Sequence, residues 1–137
     1  VDADLRRPQQ HVQFGLMAGN GLTQAISNEE EPQLCTVKGL PRMSLLPAGL
    51  LPSDPLELLS SRRFADLIES WRDSFEFVLI DTAPVGAYSD GLAVANLTGR
   101  VLALSRAQHT PAREMQNMLQ RLSAARSQIL GAVVNHF

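Results

Sequence analysis

The sequence predicts an α/β fold, a parallel sheet with helices on both faces. Three observations carry this expectation. Short apolar runs recur at Met43 to Leu46, Phe77 to Ile80, Val101 to Leu104 and Ile129 to Val134, mostly without polar alternation. That is the pattern of strands buried on both faces. Amphipathic helical stretches lie between the runs, and alternation of strand and helix favours a parallel sheet with right-handed crossovers. At 137 residues, 45% hydrophobic and 19% charged, the chain has the size and composition of one domain with a real core.

Each element has its own justification. Val1 to Asp4 is a strand stub. From Pro8 to Pro41 the pattern is less regular, with Gly15, Gly19, Gly21, Glu29 to Glu31 and Pro32. A loop-rich excursion holding one short helix near Gly21 to Ser27 is expected there. Pro55 to Trp71 carries Leu58, Leu59, Phe64, Leu67, Ile68 and Trp71 on roughly one stripe, which predicts a helix. Asp54 is its N-cap, Pro55 takes the first helical position, and Glu57 completes a start resembling a capping box. A shorter helix is expected over Ser89 to Asn96. Pro111 to Arg126 repeats the design, with Thr110 as cap and Met115, Met118, Leu119 and Leu122 inward. The methionines read as core filler.

Composition narrows the functional classes. A net charge of −2 gives no electrostatic reason to expect nucleic-acid binding, and Arg62-Arg63 reads as the solvated face of a helix. The single cysteine, Cys35, cannot form an internal disulfide, which suits a reducing compartment. With no histidine or second cysteine at ligand spacing, it reads as a loop or core thiol. No apolar run approaches the ~20 residues of a membrane-spanning helix, and no charged-then-apolar leader is present. A soluble chain without an address is expected.

In open parallel sheets, ligands bind beyond the carboxyl ends of the strands. Polar residues there are the candidates for chemistry. Phe77-Val78-Leu79-Ile80 ends in Asp81, followed by Thr82-Ala83-Pro84. A carboxylate just past a buried apolar strand is how P-loop nucleotide-hydrolysing proteins hold magnesium, directly or through water. Many other α/β folds end a strand the same way. Asp2 and Asp4, two apart in a strand, face one region together, and like charges so placed repel unless a cation or donor offsets them. The plain reading is a solvated strand end or an Asp-rich turn. The chemical reading is a second acidic element beside the magnesium, one carboxylate also accepting a proton from a hydroxyl nucleophile. Arg6 is placed to pair with either carboxylate or with phosphate.

The run VDADLRRP, Val1 to Pro8, resembles the second Walker-type motif of the bacterial tyrosine kinases that act with polysaccharide chain-length determinants. Further segments follow in that family's order. His11 to Leu16 resembles the stretch after the acidic motif, and Gly21-Leu22-Thr23 its Gly-Leu-Ser/Thr. Leu46-Pro47-Ala48-Gly49, then Pro52 to Leu59, resembles "aG-x-x-p-x-nP-x-ELL". Phe77 to Pro84 resembles the Walker B segment, with Asp90 at the next shared aspartate, although a helix cap is the preferred reading of Asp90. Gly131 to Asn135 resembles the closing "G-x-v-x-N". The ending Asn-His-Phe is most similar to the stand-alone branch found in exopolysaccharide operons.

The resemblance implies a P-loop NTPase-like, deviant-Walker domain that uses ATP and Mg2+. It implies magnesium ligation by Asp2, Asp4 and Asp81, with Asp2 also the base for a tyrosine hydroxyl and Arg6 part of the catalytic group. Asp81 would be the Walker B residue at the nucleotide, and Asn135 would sit near adenine; a strand-end turn is the alternative for Asn135. Implied partners are ATP, a protein tyrosine substrate, an inner-membrane chain-length determinant protein and further copies of the chain, with a cytoplasmic location that is peripheral at the inner membrane through a partner. Relatives carry a strand and a G-x-x-x-x-G-K-[ST] loop upstream of the acidic motif. Lys38, the only lysine, lies in no such loop. Residues 1–137 are therefore expected to form a single partial P-loop domain, lacking its first strand and phosphate loop and inactive alone. The only tyrosine, Tyr88, reads as structural rather than as a phosphate acceptor. Two other functions stand beside the kinase: a partitioning or septum-type ATPase switch, and a non-catalytic fragment.

Overall fold

Val1 to Leu5 are held in place by neighbours from two directions. In the computed structural model, which describes residues 1–17 and 19–136, β1 (Asp2–Ala3) takes a hydrogen bond on each side. The Asp2 N–H donates to the Leu46 carbonyl at 2.9 Å, and the Asp81 N–H donates to the Val1 carbonyl at 3.0 Å. Ala3 and Leu5 are buried beneath them.

The excursion after Pro8 holds more regular structure than expected. It contains α1 (Gln10–Gln13), α2 (Leu22–Ser27) and β2 (Cys35–Val37). Cys35 is thus a half-buried strand residue. β3 (Leu40–Leu45) pairs antiparallel with β2, whereas a parallel strand at Met43 to Leu46 was expected. Lys38-Gly39 supplies the tight turn between them, with Gly39 at φ 81°. A two-residue turn joins antiparallel strands only.

The helix expected over Pro55 to Trp71 is broken into α3 (Pro55–Leu59) and α4 (Arg62–Ser74). The break falls at Ser60-Ser61, because Ser61 turns extended and its hydroxyl accepts the Phe64 N–H at 3.2 Å, starting a new helix. Asp54 caps α3 as expected, accepting the Glu57 N–H at 3.0 Å. α4 buries Phe64, Leu67, Ile68 and Trp71, with Phe64 and Trp71 edge to face at 6.4 Å between ring centres.

The strand expected over Phe77 to Ile80 is not formed; β4 (Asp81–Thr82) begins just after it. Phe77 and Leu79 are 80% and 75% exposed. Val1 donates to the Leu79 carbonyl through its ammonium at 2.8 Å, and among the described residues no strand runs beside Phe77 and Val78. Without a partner ladder they form no sheet.

The chain divides into two compact units, Val1–Ala83 and Pro84–Phe137. In the second, α5 (Asp90–Thr98) ends on Gly99 in the left-handed region. β5 (Arg100–Arg106), α6 (Ala112–Ala124) and β6 (Gln128–Asn135) follow. β5 and β6 pair in parallel over their full length, with an irregularity between Val101 and Leu102. Leu122 is the fully buried anchor of α6, while Met115, Met118 and Leu119 are half-buried. Thr110 does not cap α6. Its hydroxyl instead accepts the Arg106 N–H at 2.9 Å, closing the turn after β5, and Pro111 takes the cap position.

Among the described residues, the strands pair as three two-stranded sheets, β1–β4 and β5–β6 parallel and β2–β3 antiparallel. Burial on both faces, expected from their apolar runs, is not observed: Leu102, Leu104, Val133 and Val134 are all exposed. Among the described residues, no helix is long and apolar enough to cross a membrane.

Candidate functional site

Parallel pairing sets Asp2 of β1 in register with Asp81 of β4, and Ala3 with Thr82. Paired positions in a ladder project to the same face, so the pairing brings these two sequence-predicted aspartates side by side. Asp2 is fully buried (0% exposed) and Asp81 is exposed. Such a pair combines a sheltered carboxylate with one that solvent and ligands can reach.

Asp2 is held through both oxygens. Oδ1 accepts the Asp4 N–H at 3.3 Å and Oδ2 accepts the Gln10 N–H at 3.1 Å. Burial raises its pKa above the ordinary carboxylate value. The two amide donors pull it back, and the charges of Asp81 and Asp4 push it up further.

Asp4 lies outside the strand, so alternation does not place its side chain beside that of Asp2. Its Oδ1 accepts the N–H groups of Arg6, at 3.2 Å, and Arg7, at 3.0 Å. It thereby orders the turn that carries Arg6, which is half-buried. Asn135, in the second unit, ends β6 opposite Arg106, and its carbonyl accepts the Ala107 N–H at 2.7 Å. Asp90 is not a cap: it is the first helical residue of α5, fully buried, with Ser89 at the cap position.

Gln10 is the site residue that the sequence does not announce. Its backbone holds Asp2, and its side-chain Nε2 donates to Asp81 Oδ2 at 2.6 Å. The second of two glutamines after a proline carries no chemical signal, and only the fold brings it onto both acids.

Among the described residues, no group of three or more His, Cys, Asp or Glu is arranged to hold a metal ion. The two-carboxylate set still suits magnesium. That ion takes hard oxygen donors, commonly one or two carboxylates, and completes its shell with water and phosphate oxygens.

An α/β fold with an acid pair in register on two parallel strands fits one class, a P-loop NTPase-like domain. The relatives are more particular. Over 136 residues, 98% of its length, the chain is 34% identical to the tyrosine-protein kinase ptk of Acinetobacter johnsonii, of which it covers 19%. The solved kinase domain of the Escherichia coli tyrosine kinase ETK matches at TM-score 0.92 and 31% identity, over 98% of this chain and 53% of that one. The VpsO kinase domain matches at TM-score 0.91 and 29% identity, over 99% of this chain and 68% of that one. No protein-family model matches the chain. Over nearly all of its length the chain is similar to bacterial tyrosine-protein kinases. It spans about a fifth of the length of the curated relatives it matches.

Proposed function

We propose that this chain is the acid-bearing part of the catalytic domain of an ATP-dependent protein-tyrosine kinase that regulates exopolysaccharide or capsule chain length and export. The observation that carries the reading is the register pairing of Asp2 with Asp81, one buried and one exposed, on a parallel pair of strands. Phosphoryl transfer asks the protein mainly for positioning and charge stabilisation, and this arrangement supplies both.

Asp81 and Asp2 would hold magnesium, and Asp4, which orders the following turn through its Oδ1, is the third acid assigned to the metal. When bound, the ion neutralises charge on the nucleotide phosphates. Asp2, whose pKa is raised by burial, is the proton acceptor we assign to the tyrosine hydroxyl. Its amide donors keep the carboxylate from rotating away. Arg6, on the turn ordered by Asp4, pairs with a carboxylate or with phosphate. Asn135 offers the adenine an amide that both donates and accepts. The natural setting is the cytoplasmic face of the inner membrane, beside a chain-length determinant partner, with further copies of the kinase as neighbours.

Transfer of radiolabelled phosphate to tyrosine tests the reading in the full protein. Asp2→Asn and Asp81→Asn should each lower transfer by about a hundredfold or more. Wild-type labelling by both variants overturns it.

A further inference from the structure

Gln10 opens α1 and reaches both members of the acid pair. Its main-chain N–H lies 3.1 Å from Asp2 Oδ2, and its carboxamide Nε2 lies 2.6 Å from Asp81 Oδ2. One residue therefore spans the two strands, through its backbone on one side and its side chain on the other. The carboxamide is a neutral donor set between two carboxylates that repel each other. Asp81 is exposed, and the bond from Gln10 to its Oδ2 ties the carboxylate to α1. A carboxylate offers about four lone-pair sites. A single donor on Oδ2 leaves it able to accept a cation.

We propose that Gln10 is the positioning residue of this acid pair, its carboxamide orienting Asp81 toward a divalent cation while its backbone fixes Asp2. The proposal rests on the reading of Asp2 and Asp81 as cation ligands. Hydrogen-bond partners of ligating carboxylates typically change metal affinity by about 10–100-fold when removed. The two hands of Gln10 are separable, because substitution of the side chain leaves the main-chain bond to Asp2 in place.

The test is titration of Mn2+ alone into the 137-residue chain, followed by electron paramagnetic resonance. Gln10→Met keeps the side-chain length and deletes the donor; Gln10→Ala deletes both. Each should raise the Mn2+ dissociation constant about tenfold or more, with the melting midpoint in chelator unchanged. A dissociation constant within about twofold of wild type in both variants overturns the positioning role. Asp81→Asn separates the two layers. If it abolishes Mn2+ binding while the Gln10 variants retain it, only the positioning role fails. If it leaves binding intact, or the wild-type chain takes up no Mn2+, the cation-ligand reading fails and the positioning role falls with it.

Discussion

Asp2 carries a charge that its surroundings resist. An acid whose folded pKa is raised favours the folded state while protonated. Its stabilising contribution is complete below the ordinary carboxylate range and is lost as pH rises through the raised folded value. The stability of wild type minus that of Asp2→Asn should therefore fall as pH climbs through that window and then level off. Denaturant titrations in chelator at a series of pH values measure it, and a flat difference rules it out. The acids themselves were readable in the sequence, because a carboxylate at the end of an apolar run is a visible pattern. The roles of the side chains around them were not. Asp4 was expected beside Asp2 by strand alternation, yet β1 ends at Ala3 and Asp4 serves the following turn. Gln10 had no pattern at all, since its contacts depend on a chain reversal between Leu5 and Gln10.

The cap on α3 and the placement of α2 were read correctly, while the break between α3 and α4 and the start of α6 were not. The cap on α3 is local: Asp54, Pro55 and Glu57 sit within four residues and behave as their chemistry dictates. The parallel partners β5 and β6 are long apolar runs and were recognised as such. The break between α3 and α4 was missed because Leu58, Leu59 and Phe64 continue one apolar stripe across it, while a serine hydroxyl restarts the helix. α2, expected near Gly21 to Ser27 and found there, also depends on distant contacts. Its first N–H groups, at Leu22 and Thr23, donate to the carbonyls of Pro47 at 2.8 Å and Ala48 at 2.9 Å. That approach requires glycine at position 21, where a Cβ would stand 2.6 Å from the Gly49 nitrogen and collide with the Pro47 carbonyl. Both neighbours are backbone and cannot swing aside. Gly21→Ala should destabilise the fold by about 2–3 kcal/mol, read as a shift in urea midpoint at constant slope; an unchanged midpoint contradicts the packing described here.

At the scale of the whole molecule, the fold class was readable and the sheet was not. Strand and helix alternation predicted α/β architecture, and the kinase-domain structures share it. The apolar runs also predicted strands covered on both sides, but cover depends on which segments lie beside them. Phe77 and Leu79 stand exposed, with no strand beside Phe77 and Val78 among the described residues. The chain likewise contains the acid pair but no G-x-x-x-x-G-K-[ST] sequence to cradle phosphates. Calorimetry of this chain with magnesium-ATP should accordingly show no binding at micromolar concentrations, and micromolar affinity would contradict the account. The segment from Leu46 to Ala48 has a wider consequence. Its three successive carbonyls fasten Asp2, Leu22 and Thr23, residues far apart in the chain, so the start of β1 and the start of α2 share one clasp. Local opening there cannot be partial: the fluctuation that frees the helix start also slackens the backbone under the buried acid, and the two regain order together.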